Sequence, residues 1–195
     1  MFALTLSPII VFSGLPQTGK TAIAKRLANA LHWKFLSFGD FVRQQARARG
    51  TVEPTRRELQ DLGQKMVEMD VISFCREALN NADFSPGEPL VIDGIRHMQA
   101  LEAVKVLSRG QPVRLIYLQA PIKTREARSS SRGESDLSRV DAHKVESQTN
   151  VEILRSADLV VDSSGNPDQV FEYINSWLVD TCGVPRTWSQ HPKVG

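Results

Sequence analysis

Gly14-Leu15-Pro16-Gln17-Thr18-Gly19-Lys20-Thr21 decides how the rest of the chain is read. It fits G-x-x-x-x-G-K-[ST], the pattern of a phosphate-binding loop. The apolar run Ile9-Ile10-Val11-Phe12 before it reads as a buried strand, and Ala22 to Leu31 after it as a helix. That order of strand, loop and helix is the context the motif needs. Gly14 and Gly19 let the backbone turn where a Cβ would clash. Successive backbone N–H groups of the loop then point inward as an anion nest. The helix starting near Lys20 adds the positive end of its dipole. Lys20 can reach the β- and γ-phosphates, and the Thr21 hydroxyl can ligate Mg²⁺. By chance alone such a string arises on the order of once in a hundred chains of this length. The correct flanks make a nucleoside triphosphate the expected ligand.

The 195 residues suffice for one domain with a sheet covered on both faces. A hydrophobic share of 41% and a charged share of 24% are ordinary for a soluble globular protein. The net charge of +2 is too mild to argue for nucleic acid. Arg43, Arg47, Arg49, Arg56 and Arg57 form a basic run without interleaved aromatics, which reads as a solvated face. No apolar run approaches a membrane span, and the N-terminus does not look like a signal peptide. Cys75 and Cys182 suggest neither a disulfide framework nor a zinc site. A reduced, cytoplasmic setting is the expectation.

Strand-like and helix-like runs alternate along the chain, the signature of a parallel α/β sheet. After the first helix, Lys34–Ser37 reads as a strand, and Gly39-Asp40 opens a helix that stops near Gly50. Thr55 with Glu58 forms a capping-box pattern. The helix it starts is expected to run to about Leu79, with Leu59, Leu62, Met66 and Met69 on one packed face. Gly63 lies on the opposite side or marks a break. Strands are expected at Pro89–Gly94, Pro112–Leu118 and Asp158–Asp162, and helices at Met98–Leu107, Lys123–Ser131, Asp141–Ser156 and around Val170–Leu178. From Gly183 onward the composition predicts a frayed tail, in which Trp188 could pack back or meet a partner. Five parallel strands with right-handed helical crossovers put helices on both faces and the ligand at the strands' carboxyl ends.

Asp93 ends an apolar strand, where it is either a solvated strand-end acid or a Mg²⁺ ligand. Gly94 follows it, so a water-orienting carboxylate is missing there. That favours transfer to an acceptor whose phosphate oxygen is already anionic. Arg125, Arg128 and Arg132 recur at steps of three and four. They are either solvated surface or a face that binds phosphate bidentately, as a closing lid would. His97 adjoins Arg96 and could reach the site. The four histidines show no metal-ligand spacing.

Together these residues resemble the adenylate kinase-like nucleoside monophosphate kinases, from about Ile9 to Leu178. Gly39-Asp40-Phe41-Val42-Arg43 resembles that family's G-D-[LM]-[LM]-R segment, whose arginine meets the acceptor phosphate. Asp93-Gly94-Ile95-Arg96 is similar to its D-G-[FY]-P-R segment, without the proline. The family's base-reading glutamine would fall near Gln99. Arg125 and Arg128 resemble its lid arginines, and Ser163-Ser164-Gly165 its adenine-cradling loop. The Asp-Gly-Ile-Arg segment and Ala157-Asp158-Leu159-Val160-Val161 resemble a less characterised adenylate kinase-related branch. Arg57 to Gly63 looks like a segment of deoxynucleoside monophosphate kinases.

The resemblance implies a three-layer P-loop fold with strand order 2-3-1-4-5. It also implies one domain over 1–195, with an acceptor-binding helical segment at about 39–82 and a short lid at about 125–145. The expected catalytic residues are Lys20, Arg125 and Arg128. Gly14, Pro16, Gln17, Thr18, Gly19, Lys20, Thr21 and Gly165 would hold ATP, and Thr21 with Asp93 would hold Mg²⁺. Asp40, Arg43, Arg96 and Gln99 would bind a small phosphorylated acceptor, a nucleotide first among them. Two other readings stay open. One is a kinase of a small hydroxyl metabolite with Asp40 as general base. The other is a nucleotide-binding regulator or slow NTPase that works through a protein partner.

Overall fold

A computed structural model describes residues 7–131 and 151–186. Its elements are β1 (Ile9–Gly14), α1 (Lys20–Leu31), β2 (Lys34–Ser37), α2 (Phe38–Ala48), α3 (Arg56–Asn81), β3 (Leu90–Asp93), α4 (Met98–Leu107), β4 (Val113–Gln119), α5 (Ile122–Ser130), β5 (Leu159–Asp162) and α6 (Pro167–Cys182). The strands form one parallel sheet in the order β2-β3-β1-β4-β5. This is the expected topology.

Strand β1 shows why the sheet is covered twice. Side chains alternate across a strand, so Ile9 and Val11 face one layer and Ile10 and Phe12 the other. All four are fully buried. Ile9 and Val11 pack with Leu36, Phe41, Phe74 and Leu101, from β2, α2, α3 and α4. Ile10 and Phe12 pack with Ile23 and Leu27 of α1 and Phe171 and Ile174 of α6. The register sets Phe12 beside Asp93 and Gly14 beside Leu118. The loops after β1 and β3 therefore emerge together at one edge.

The capping box of α3 forms as its sequence predicts. The Thr55 N–H donates to Glu58 Oε2 at 2.7 Å, and the Glu58 N–H donates to Thr55 Oγ1 at 3.3 Å. The single long helix does not form. Asp70 leaves helical geometry at φ −162°, ψ 92°. Its carboxylate accepts the Ser73 N–H at 2.9 Å and the Ser73 hydroxyl at 2.7 Å, which makes it the cap of a second helical half. Gly63 is not the break; a Cβ there would meet Val42 Cγ2 at 3.5 Å, an ordinary packing distance. The kink also corrects the expected apolar face. Leu59, Leu62 and Met66 pack on the core, but Met69, just before the kink, is 77% exposed.

The chain still packs just past Gly183. Val184 is buried, and its N–H reaches Leu178 O at 3.5 Å. Trp188, Arg132 and most of the segment 125–145 lie outside the described residues. Among the described residues, no helix is long and apolar enough to cross a membrane.

Candidate active site

The loop between β1 and α1 owes its path to three positive-φ residues. Gly14 has φ 137°, and a Cβ on it would land on the Leu118 carbonyl of β4. Only glycine lets β1 run this close to β4 and then turn. Gln17 at φ 62° and Gly19 at φ 83° follow, and Gly19 caps α1 without a side chain to accept its first N–H groups. A helix N-terminus left open in this way favours an anion. The Thr18 hydroxyl donates to Leu15 O at 2.8 Å and Lys20 Nζ donates to the same oxygen at 3.2 Å, so Leu15 O closes the loop from within.

Asp93, at the end of β3, is 4% exposed. Its Oδ2 accepts the Thr21 hydroxyl at 2.7 Å. The two residues predicted to share a metal ion, far apart in sequence, therefore touch. Its Oδ1 is buried and has no hydrogen-bond partner among the described residues. Burial pushes the Asp93 carboxyl above the usual aspartate range; Lys20, the Thr21 hydrogen bond and Arg96 pull it back, and Asp40 pushes it up. A desolvated carboxylate with one unmet oxygen beside a threonine hydroxyl fits a hard divalent cation. No group of three or more His, Cys, Asp or Glu side chains among the described residues could hold a metal ion.

The turn after β3 is pinned to β1. Gly94, at φ 89°, donates its N–H to Phe12 O at 3.0 Å, and the Ser13 hydroxyl donates to Ile95 O at 2.7 Å. Those bonds carry Arg96 to the same edge as the loop, where its charge acts on Asp93. The N-terminus of α2 closes in from β2, and Gly39 N lies 3.9 Å from the Cβ position of Gly94. Asp40 and Arg43 form an ion pair at 2.5 Å on α2. Asp40, Lys20 and Arg96 thus all act on one carboxylate. Gln99 stands exposed in the first turn of α4.

The two arginines of α5 part company. Arg128 donates from Nη1 to Gln17 O at 3.3 Å and from Nη2 to Ser163 O at 2.7 Å. It thereby ties the phosphate loop to the turn 163–165, where Gly165 lies exposed. Arg125 is only 4% exposed and donates from Nε to Ala120 O at 3.3 Å. Spacing places both on one side of a helix, but packing buries the first and leaves the second at the loop.

A family model described as "AAA domain" matches residues 10–153. The chain belongs to this family. A UPF0200 protein of Pyrobaculum aerophilum is 34% identical to it over 130 residues, 66% of this chain and 68% of the relative. An adenylate kinase of Deinococcus radiodurans is 29% identical over 193 residues, 87% of this chain and 96% of the relative. Among solved structures, a shikimate kinase of Aquifex aeolicus superposes with a TM-score of 0.55 at 13% identity, over 91% of this chain and 99% of that one. That last likeness is one of fold. The matches make the chain an adenylate kinase-related P-loop protein, and the kinase relatives support a phosphotransferase. Such a family implies ATP and, typically, Mg²⁺.

Two polar residues of α3 were not singled out by sequence. Gln64 Nε2 donates to Glu68 Oε1 at 2.6 Å. Glu68 in turn acts on His97, the N-cap of α4; burial and the Arg96 charge hold its imidazole below the usual histidine range, and Glu68 works against them. The four-residue spacing of Gln64 and Glu68 was the available signal. Gln64 falls between the apolar positions Leu62 and Met66, and Glu68 between Met66 and Met69, so the apolar pattern masks the pair.

Proposed function

We propose that the protein is an ATP- and Mg²⁺-dependent kinase that moves the γ-phosphoryl group to a nucleoside or deoxynucleoside monophosphate. The observation that carries this reading is the Thr21–Asp93 contact with Arg96 and Asp40 acting on the same carboxylate. It joins a donor loop to a second set of charged side chains at one sheet edge. A site for hydrolysis alone has no need of that second set.

Bound Mg²⁺ would neutralise charge on the β- and γ-phosphate oxygens. Thr21 and Asp93 would hold it, and the loop N–H groups with Lys20 would orient the triphosphate. Arg43 and Arg96 would fix the acceptor phosphate. An acceptor oxygen bonds to the γ-phosphorus as the bond to the β,γ-bridging oxygen breaks, and ADP leaves. The acceptor phosphate is already anionic, so no base is required. Arg128 would stabilise the spreading charge, and Arg125, buried with its Nε on Ala120 O, would position α5. The segment 39–82 would serve as the acceptor side, and the segment around 125–145 as the lid that excludes water.

A hydroxyl acceptor, with Asp40 as base, is the second reading. The Asp40–Arg43 pair at 2.5 Å speaks against it, because the carboxylate already serves a guanidinium. ADP release is measured with ATP, Mg²⁺ and each ribo- and deoxynucleoside monophosphate in turn. Stimulation by at least one of them is expected. Basal hydrolysis unchanged by all of them overturns the proposal. Asp40→Asn separates the two kinase readings, since it abolishes transfer to a hydroxyl but only weakens transfer to a phosphate.

A further inference from the structure

We propose that Ser13 is a positioning residue for Arg96: its hydroxyl fixes the peptide plane from which that arginine leaves the turn after β3. This rests on the reading of Arg96 as a ligand of the acceptor phosphate. Ser13 is buried at the end of β1, directly before the phosphate loop, and would act through Arg96 alone. Beside β3, β1 is paired only as far as Phe12 with Asp93. Beside β4 it continues through Ser13 with Tyr117 to Gly14 with Leu118. The chain after Asp93 therefore leaves the ladder, and α4 does not begin until Met98. Gly94 to His97 belong to neither element and have to be held by other bonds. Two reach them from β1. The Gly94 N–H donates to Phe12 O at 3.0 Å, and the Ser13 hydroxyl donates to Ile95 O at 2.7 Å.

The second bond is the one that matters for the arginine. The Ile95 carbonyl and the Arg96 N–H share one rigid plane. A hydrogen bond that holds the carbonyl therefore holds the plane, and with it the place of the Arg96 Cα. Gly94 cannot supply that constraint. It sits at φ 89°, and a glycine restricts its backbone least of all residues. Core packing does not explain the hydroxyl either. By alternation Ser13 faces the same layer as Ile9 and Val11, which are fully buried among apolar side chains. An alanine would fill that position without a polar group, but the buried Ile95 carbonyl would lose this donor. Its plane would then be free to turn, and Arg96 would leave the edge where its charge acts on Asp93. One side chain next to the donor loop thus sets the aim of an arginine on the acceptor side.

The experiment measures KM for ATP and KM for the nucleoside monophosphate that most stimulates ADP release. It does so in the wild type, Ser13→Ala, Arg96→Ala and the double variant. Arg96→Ala should raise the acceptor KM by about tenfold, as loss of a charge-assisted hydrogen bond does. Ser13→Ala should raise it by about fivefold, the ratio that one ordinary hydrogen bond supplies, and leave the KM for ATP unchanged. In the Arg96→Ala background, Ser13→Ala should add nothing, because no guanidinium is left to aim. A merely structural role would raise both constants, or would multiply the effects of the two substitutions. If Ser13→Ala melts early, Ser13→Cys, close in size and only a weak donor, replaces it. A further rise of the same size in the double variant, a matching rise in the KM for ATP, or an acceptor KM that either single substitution leaves untouched overturns the inference and leaves the kinase reading intact. A wild type that phosphorylates no monophosphate overturns both.

Discussion

Backbone geometry holds the loop Gly14–Thr21, whereas side chains hold one another on α2 and α3. At Gly14–Thr21 the path is set by φ 137° at Gly14, φ 62° at Gln17 and φ 83° at Gly19, and by the close approach of β1 to β4. On α2 and α3 the polar groups are paired locally: Asp40 with Arg43, Gln64 with Glu68, Asp70 with Ser73. The first arrangement can serve any triphosphate, because N–H groups and one lysine see only phosphate. On the function proposed above, the second would be rebuilt for each acceptor. One fold can thus keep its donor and change its acceptor.

Lys20→Met is the strongest way to break the donor half. It removes a cation assigned to the transferring group, together with its bond to Leu15 O, while the Thr18 hydroxyl still donates to that oxygen. Transfer should fall by about a thousandfold, with circular dichroism and melting unchanged. A variant that keeps a tenth of the activity would mean that the loop is not the phosphoryl-transfer site.

Asp93→Asn comes next, and it moves activity and stability in opposite directions. Loss of the carboxylate should cost several hundredfold in rate, since the asparagine oxygen is a poor partner for Mg²⁺. The fold should become more stable. Burial raises the folded-state pKa of Asp93 above its unfolded value, so the folded state holds the proton more tightly. Wild-type stability is therefore lost as pH rises from the unfolded pKa through the raised folded one. At neutral pH Asp93→Asn should melt above the wild type, and the gap should close in acid. A lower melting temperature at neutral pH would contradict the burial argument.

Arg43→Ala tests whether the second region is an acceptor site at all. A charge-assisted hydrogen bond lost to the acceptor phosphate should raise the acceptor KM by about tenfold and leave the KM for ATP in place. Equal changes in both constants would merge the two regions into one.

The loop Gly14–Thr21 and its flanks were legible in the sequence because their requirements are local. The loop motif, its flanking strand and helix, and the strand ends at Asp93 and Asp162 each leave a mark within a few residues. Asp93 and Thr21 could be paired because the sheet topology, itself readable from the alternation, sets β3 beside β1. The arginines of α5 and the break in α3 were harder. Spacing put Arg125 and Arg128 together, but which of them is buried depends on what α5 packs against. The apolar periodicity of α3 ran straight through Asp70, and Gly63 drew attention to the wrong place. Asp70 with Ser73 three residues later was the sign of a new helix start, hidden by the apolar residues around it.

That same pair gives the smallest effect and the closest contrast with Asp93. The two Ser73 hydrogen bonds, the backbone one first, hold the Asp70 carboxyl below the usual aspartate range. Its contribution to stability is therefore present above the unfolded pKa and is lost as pH falls through the folded pKa. Asp70→Ala should lower the melting temperature by about 2–4 °C at neutral pH, as expected for a helix cap in a chain of this size. Towards low pH the wild type should lose this advantage and the two proteins should converge. Two aspartates then converge with their variants in acid from opposite sides, Asp93 from below and Asp70 from above. On the function proposed above, the buried one is kept at a cost to stability because its charge would hold Mg²⁺; the exposed one starts a helix. Melting curves of the two variants across the acid range distinguish these roles without any knowledge of the acceptor. A drop for Asp70→Ala that persists unchanged in acid would assign the kink to packing and not to the cap.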